Sequence, residues 1–290
     1  MLDRLKRIRL RRGHCRLGLS REGVSVRRMG ASRKSTPVLA ERPLPDPGEA
    51  APDVLAGQIE AALDAAGGSG LPVYVTLGDD LVRYFIVTPP GNSARMQDLR
   101  AAAAVRFQVL YGESVSAWQL VADWHAAAPF LACAVSQRIS TALQIAVANQ
   151  RGCLVSVAPN FVAAWNRSRR HVGADAWLAT LGDGALTLGL VADAATPRLA
   201  AVRTLALPEK APPMAWLREQ VARAALLDNL PAPSLLHVHG PQLDAWKESA
   251  APSGDAGMTV RWCAPGNAPP GLHGSGASAA AQLAWSGATP

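Results

Sequence analysis

The first part of the chain alternates apolar and polar residues in two short runs that flank a turn. These runs are residues 16–20 and 24–26, and a three-residue connection ending in Gly23 lies between them. Alternation with a period of two is typical of strands, and a glycine in the connection favours a hairpin. A third extended stretch, residues 36–40, leads into a proline-rich connector. The pattern therefore predicts three consecutive strands at the start of the fold.

Helical spacing replaces the alternation after this connector. From Asp53 onward, Leu55, Ile59 and Leu63 recur at intervals of four, and the pattern ends at two glycines, residues 67 and 68. The same spacing predicts three further helices in this half of the chain, at 93–111, 137–150 and 161–169. Ser93 and Ser136 are the predicted N-caps of the first two of these helices.

Strand-like runs separate these helices. Residues 73–77 and 81–87 flank a turn at Gly78, which predicts a second hairpin. Residues 117–124 and 130–135 predict two more strands, and the apolar run at 153–157 predicts a buried strand.

The second half of the chain repeats the opening order of three strands and a helix. The elements predicted there are strands at 177–181, 186–191, 199–205 and 235–239, a helix opened by Pro212-Pro213, a short helix after Pro241, a loop at 249–275 and a closing helix capped by Ser278. Strands followed by a helix, first at 16–66 and again at 176–227, predict a mixed α/β architecture that is built twice.

The composition indicates a folded chain with a core of small side chains. Hydrophobic residues make up 49% of the 290 residues but aromatic residues only 5%, so Ala, Val and Leu must fill the core. No apolar run has the length and continuity of a transmembrane helix. Four cysteines lack the CxxC spacing of a zinc site, which favours free thiols, and we expect Cys133 and Cys153 to be buried.

The positive charge of the chain is concentrated at its N-terminus. The net charge is +7, yet residues 1–34 contain twelve basic and two acidic residues, while the rest contains 17 basic and 20 acidic. We expect the basic leader to contact an anionic membrane surface, to which each basic residue adds about 1 kcal/mol. A solvated leader is the alternative, and we expect no nucleic acid because the body is acidic and shows no binding module. The residues assigned to the membrane surface are Arg4, Lys6, Arg7, Arg9, Arg11 and Arg12.

These patterns resemble a known family. Three strands with a glycine hairpin, repeated halfway along the chain, resemble the actin-like ATPase fold. The middle third resembles PilM and GspL, the actin-like cytoplasmic proteins of type IV pili and type II secretion. The residues that carry this second resemblance are the strand ending at Pro89, the helix 93–111, the strand 117–124, and the strand, helix, Gly152 and strand that run from 131 to Pro159. The resemblance covers residues 15–240 in element order and hydrophobic spacing.

The resemblance implies an α/β protein of the actin-like (ribonuclease H-like) class, with a duplicated βββαβα architecture in two lobes. The predicted domains are a basic leader at 1–14, a first lobe with an inserted α/β subdomain at 15–170, and a second lobe at 171–290 with a flexible loop at 249–275 and a closing helix. The implied function is that of an assembly-platform protein, cytoplasmic and peripheral to the inner membrane. Such a protein would dock the cytoplasmic tail of an inner-membrane partner and contact a motor ATPase.

The resemblance also implies two hairpin turns that clamp nucleotide phosphates, each with an acidic residue followed two positions later by glycine. In the first turn Gly18 stands at the acidic position and Ser20 at the glycine position. In the second turn Thr180 stands at the acidic position, and Gly182 is kept with Gly184 beyond it. A magnesium ion would lack both carboxylates.

We therefore expect a protein that is not an enzyme and has no metal or resident cofactor. Binding of ATP at these five residues is left as an alternative. An active actin-like ATPase or a sugar-kinase relative is the alternative function.

Two other groups of residues are weaker candidates. His237 and His239 alternate on one strand and share a face, but Asp244 is the only local candidate for a third metal ligand. Trp118 and Trp124 face one side of a strand region, where they could anchor a partner peptide. Packing in the core is the expected role of these two tryptophans.

Overall fold

A computed structural model describes residues 13–30, 37–91, 95–173, 175–182, 184–192, 198–208, 211–246, 258–263 and 277–286. The chain divides into two compact units. Unit 1 consists of Met1–Leu81, Ser136–Ala163 and Pro265–Pro290, and unit 2 consists of Val82–Val135 and Ala164–Ala264.

The described residues form strands and helices that we number in chain order. The strands are β1 His14–Leu19, β2 Gly23–Met29, β3 Val38–Pro43, β4 Pro72–Leu77, β5 Val82–Val87, β6 Trp118–Ala122, β7 Phe130–Ser136, β8 Cys153–Pro159, β9 Ala176–Leu181, β10 Ala185–Val191, β11 Leu199–Ala206, β12 Leu235–His239 and β13 Thr259–Cys263. The helices are α1 Pro52–Ala65, α2 Met96–Tyr111, α3 Gln137–Asn149, α4 Asn160–Ser168, α5 Met214–Leu227 and α6 Ala279–Ser286. Among these helices, none has both the length and the apolar character needed to cross a membrane.

Unit 1 is built on a five-stranded sheet of order β3-β2-β1-β4-β8. Strands β1, β2 and β3 form an antiparallel meander, while β4 runs parallel to β1 and β8 runs parallel to β4. The three consecutive strands and the hairpin that ends at Gly23 are thereby confirmed.

The two faces of this sheet are covered by different helices. Leu17 of β1 and its cross-strand partners Val26 and Val75 are buried on the face that packs against α1 and α3. The opposite face contacts α6. The predicted caps of two of these helices are confirmed, because the hydroxyl of Ser136 accepts from the Arg138 N–H and that of Ser278 accepts from the Ala281 N–H.

The second predicted hairpin is wrong. Strand β4 pairs with β1 and β8 in the sheet of unit 1, whereas β5 pairs with β7 in a different sheet. A 3-10 turn, Asp79–Leu81, separates the two strands. Because β4 has a parallel partner at each edge, it offers no edge to β5.

The strand predicted to be buried at 153–157 is an edge strand instead. Val155 and Val157 of β8 are 46% and 39% exposed. Cys153 is also exposed, which contradicts the prediction of a buried thiol at this position. An apolar run does not distinguish a central strand from an edge strand, because both contain β-branched residues.

Unit 2 contains a three-stranded sheet of order β5-β7-β6, which packs against α2. Leu99, Ala103 and Phe107 of α2 join Phe85 and Phe130 in its core. The helix ends at Gly112 with a left-handed φ of 66°, as the sequence predicts. Met96 and Leu110, which share the helical spacing of these buried residues, are exposed. The predicted N-cap, Ser93, lies outside the described residues.

A five-stranded sheet of order β11-β10-β9-β12-β13 forms the rest of unit 2's framework. Strands β9, β10 and β11 are antiparallel neighbours, and β12 and β13 run parallel to β9. The predicted loop at 249–275 is wrong over Thr259–Cys263, because these residues form the edge strand β13. The rest of that range, apart from Met258, lies outside the described residues.

The two five-stranded sheets have the same strand order and directions, which confirms the duplication. The contact-defined units differ from the predicted lobes at three segments, the shortest of which is 164–170, predicted in the first lobe and found in unit 2. Helix α6, which was predicted in the second lobe, packs on β1 and β2 of unit 1. Residues 82–135, which were predicted in the first lobe, belong to unit 2. Proximity along the chain suggested these assignments, whereas non-local packing decides them.

Candidate functional site

The first candidate phosphate turn closes the hairpin between β1 and β2 in unit 1. The Ser20 N–H donates to the carbonyl of Gly23 (2.9 Å), and the Ser20 hydroxyl accepts from the Gly23 N–H (3.2 Å). The Arg21 N–H donates to Oδ2 of Asp80 (3.3 Å). Three N–H groups of this turn therefore already have acceptors inside unit 1. A phosphate would have to displace these acceptors in order to bind here.

Gly18, at the acidic position of this turn, lies beneath α6. A Cβ added to Gly18 would lie 2.6 Å from the backbone nitrogen of Ala284 and 2.8 Å from the Cβ of Leu283. Both separations are shorter than real Cβ contacts, so glycine is the residue that lets α6 lie on the sheet. The space into which an aspartate side chain would extend is filled by this helix.

The second candidate phosphate turn connects β9 and β10 in unit 2. The Gly182 N–H donates to the carbonyl of Ala185 (2.9 Å), and Gly184 has a left-handed φ of +73°. Glycine adopts this conformation without the strain that a side chain would add. Asp183, between them, lies outside the described residues. The two glycines have the geometry of a tight hairpin turn.

Thr180, at the acidic position of the second turn, is fully buried. It belongs to a line of cross-strand partners that we call the polar row: Thr204, Thr187, Thr180, His239 and Cys263. The hydroxyls of Thr187 and Thr204 are 3.1 Å apart, and Nε2 of His239 lies 2.8 Å from Oγ of Ser168. Burial, followed by the charge of Arg167 and then His237, lowers the pKa of His239 to about 4. The imidazole is therefore neutral near pH 7, and the row supplies no carboxylate for a metal.

Two solved structures share this arrangement of sheets and helices. One is the cytoplasmic domain of EpsL, an inner membrane component of the type II secretion system of Vibrio cholerae. It aligns with a TM-score of 0.53 at 14% identity, over 94% of this chain and 92% of that one. The other is a Bacteroides thetaiotaomicron protein of unknown function with an actin-like ATPase fold, which aligns with a TM-score of 0.54 at 8% identity, over 82% and 85%. The chain has the actin-like ATPase fold.

This result confirms the predicted fold class, and at the level of the fold the chain is similar to a cytoplasmic domain of a type II secretion component. The PilM–PilN type IV pilus biogenesis complex also matches, at a TM-score of 0.45 and 17% identity over 74% of this chain and 66% of that one. No protein-family model matches the chain, and no curated protein matches it.

A nucleotide and its metal are the ligands that an actin-like ATPase fold implies, and the two turns do not fit them. In unit 1 three N–H groups of the first turn have internal acceptors, and α6 fills the acidic position at Gly18. In unit 2 the acidic position is Thr180, which is buried in the polar row. No catalytic step follows from Gly18, Ser20, Thr180, Gly182 or Gly184 as the structure places them.

Asp79 and Asp80 are acidic residues near the first turn, and they lie in the connection that the sequence predicts as a hairpin turn. Oδ1 of the buried Asp79 accepts from the Phe161 N–H (2.9 Å) at the start of α4. Asp80 accepts from the Arg21 N–H, and burial raises the pKa of its carboxyl group. Both carboxylates thus connect the end of β4 to neighbouring elements of unit 1. The signal in the sequence was two aspartates directly after a buried strand.

Among the described residues, the histidine pair gains no third metal ligand. His237 and His239 share a face as predicted, and Nδ1 of His237 lies 3.7 Å from Sγ of Cys263. Burial raises the pKa of the Cys263 thiol, which opposes the thiolate form that binds metals. No group of three His, Cys, Asp or Glu residues able to hold a metal occurs in the described ranges.

The two tryptophans of the β6 region pack against the core of unit 2. The ring of Trp118 lies 5.6 Å from that of Phe107, and the ring of Trp124 lies 5.8 Å from that of Phe130. These contacts fit the expected role in core packing. The six basic residues assigned to a membrane surface, Arg4 to Arg12, lie outside the described residues, so that assignment stays a prediction.

Proposed function

We propose that this protein is a scaffold of the assembly platform of a type IV pilus or type II secretion-like machine, and that it does not hydrolyse ATP. Its location would be cytoplasmic and peripheral to the inner membrane. Its mechanism would be docking of the cytoplasmic tail of an inner-membrane partner, with contact to a motor ATPase. No chemical step is required for this role.

The observation that carries this proposal is the packing of α6 over Gly18 within an actin-like fold. The fold is shared with the cytoplasmic domain of EpsL, an inner membrane component of a type II secretion system, over nearly the whole of both chains. The helix fills the position from which a carboxylate would reach a metal. A fold that is kept while its nucleotide turns are used for packing suits a binding protein better than an ATPase.

The docking function is tested with the full-length chain and synthetic peptides. The peptides are the cytoplasmic tails of the inner-membrane proteins encoded in the same gene cluster as the chain, and isothermal titration calorimetry measures their binding. We expect saturable one-to-one binding of one tail, and no binding of a peptide with the same residues in scrambled order. Failure of every tail to bind would contradict the docking function.

The absence of ATPase activity needs a separate measurement. We expect no turnover of ATP with magnesium above that of a buffer control, and no nucleotide-dependent rise of the melting temperature. Turnover that is abolished by Thr180→Ala would instead identify an active actin-like ATPase or a sugar-kinase relative.

The role of the leader is tested by removing residues 2–12. The full-length chain should sediment with vesicles that contain anionic lipid, and the shortened chain should not. Equal sedimentation of the two forms would exclude the leader as the membrane contact.

A further inference from the structure

A group of cationic and donor side chains lies on the α6 face of unit 1's sheet. Arg16 and Arg27 are direct partners on β1 and β2, and Tyr74 is the partner of Arg16 on β4. The ring of His14 contacts that of Tyr74 edge-on at 5.5 Å. Alternate residues of a strand share a face, so His14 and Arg16 lie on the same side as Gly18, beneath α6. We call this group, together with Trp285 of α6, the arginine face.

Arg27 lies at the base of the arginine face. It is only 7% exposed, and its guanidinium carbon lies 3.0 Å from the centroid of the Trp285 ring. Its Nε is buried and has no hydrogen-bond partner among the described residues. The same holds for three nearby atoms: Nε2 of His14, Oγ of Ser25 and Nε1 of Trp285. Buried polar groups are nearly always paired, so this concentration on one face of one sheet is unusual.

The charge on this face is also one-sided. Burial, and then the charge of Arg16, lowers the pKa of Arg27 to about 10. Burial, and then Arg16 and Arg27, lowers the pKa of His14. Among the described residues of β1, β2 and β3, Glu41 is the one acidic side chain on this face, and it is exposed and accepts from the Ser278 hydroxyl. No ion pair to Arg27 occurs within the described ranges.

We propose that the arginine face binds an oxyanion, namely a carboxylate or a phosphate group, in contact with Arg27. The N–H groups of arginine and tryptophan can only donate, so an acceptor-rich ligand fits them, and the charges select an anion. His14, Arg16, Tyr74 and Trp285 are each partly exposed and form the rim through which the group enters. Because the neighbouring guanidinium groups of Arg16 and Arg27 repel each other, a negative charge at this position also stabilises the fold. The site does not depend on the docking function.

The first experiment measures thermal unfolding of the full-length chain in increasing concentrations of sodium phosphate or sodium acetate. Sodium chloride keeps the ionic strength equal in all samples. We expect a saturable rise of the melting temperature, of about 3 °C at an anion concentration ten times the dissociation constant. Comparison of the phosphate and acetate arms identifies which oxyanion binds more tightly. No saturable rise in either arm would overturn the proposal.

Two variants locate the effect. Arg27→Met removes the charge and keeps the length of the side chain, and it should abolish the anion-dependent rise. Arg42→Met is the matched control, because Arg42 is an exposed arginine on β3 of the same sheet and should leave the rise unchanged. An equal rise in Arg27→Met and the wild type would overturn the proposal.

A second measurement uses the wild-type protein and does not require Arg27→Met to fold. The indole N–H resonance of Trp285, assigned from its loss in Trp285→Phe, should shift with the same dissociation constant as the thermal effect. An indole resonance that is insensitive to phosphate and to acetate would contradict binding at the arginine face.

Discussion

The two five-stranded sheets share one strand order but differ in whether their polar side chains are hydrogen-bonded to each other and to neighbouring elements. In unit 2 the polar row is paired internally, since Thr187 contacts Thr204 and His239 contacts Ser168. In unit 1 the equivalent α6 face contains buried donors, such as Nε of Arg27 and Oγ of Ser25, without described partners. A duplicated framework therefore fixes where strands lie, while the side chains decide whether a face is closed or open to a ligand.

The two sheets also differ in what occupies the acidic position of each turn. In unit 1 the acidic position is a glycine that a helix covers, and in unit 2 it is a threonine that belongs to a paired row. In both sheets the acidic position is therefore part of the packed interior: a helix covers it in unit 1, and the side chain itself is buried in unit 2.

The largest expected effect comes from restoring an acidic residue at the first turn. Gly18→Asp places a side chain where α6 lies and buries a charge, so we expect a loss of roughly 3–5 kcal/mol in the free energy of unfolding. Urea unfolding measures it. Gly182→Ala is the control, because an added Cβ there meets only the Ala185 oxygen at 4.0 Å, and it should change stability by less than about 0.5 kcal/mol. A Gly18→Asp variant of normal stability that gains stabilisation from ATP with magnesium would contradict this account of the turn.

The second effect is a dependence of stability on pH that comes from unit 2. The pKa of His239 is about 4 in the folded state and 6.5 ordinarily. The folded state therefore binds this proton less tightly, so the contribution is fully present above pH 6.5 and is lost as pH falls through 4. We expect His239 to account for about 3 kcal/mol of the decrease across this window.

Urea unfolding at pH 7, 6, 5 and 4 measures this decrease. The variant His239→Gln should show a shallower fall than the wild type. Some decrease should remain, because the pKa values of His237 and His14 are lowered as well. Identical pH profiles for the two proteins would show that His239 is not buried in its neutral form.

A smaller effect tests the pairing of the histidine. Ser168→Ala leaves Nε2 of His239 without its partner, which should reduce the free energy of unfolding by about 1–2 kcal/mol at pH 7. Chemical denaturation measures the change. Ser116→Ala, in an exposed hydroxyl pair with Ser114, should cost less than about 0.5 kcal/mol. Equal costs for the two variants would mean that the Ser168 contact does not stabilise unit 2.

The smallest expected effects are the changes in stability when one hydroxyl is removed from each sheet. Thr187→Val should cost about 1 kcal/mol, because it removes the hydrogen bond that the buried Thr187 hydroxyl makes with Thr204. Ser25→Ala should be neutral within about 0.5 kcal/mol or stabilising, because the buried hydroxyl has no described partner. Differential scanning calorimetry of both variants gives the ranking. The reverse ranking would remove the distinction between the paired polar row of unit 2 and the unpaired donors on the α6 face of unit 1.

Local patterns were sufficient for most elements of the fold. The helix α1 follows from the spacing of Leu55, Ile59 and Leu63, and the left-handed end of α2 follows from Gly112. Such signals depend on residues within one or two turns of each other, so the sequence contains them directly. The pairing of β5 with β7 was not predicted, since the choice of a strand partner depends on which edges the rest of the sheet leaves free.

At the candidate site, the sequence predicted only the absence of the carboxylates that would hold a metal. The lack of carboxylates at positions 18 and 180 is visible in the sequence. The arginine face is not, because Arg16 and Arg27 become neighbours only through the β1–β2 register, and Trp285 reaches Arg27 from the far end of the chain.

The sequence by itself thus determined the duplicated order of strands and helices and the absence of acidic residues from the two turns, because both are properties of residues close together in the chain. Only the tertiary structure decided that α6 belongs to unit 1, that it covers Gly18, and that Arg27 is buried beneath it beside Arg16. These features arise mainly from contacts between segments more than 200 residues apart. Burial and electrostatic environment are set by such contacts, and neither can be read from a local pattern.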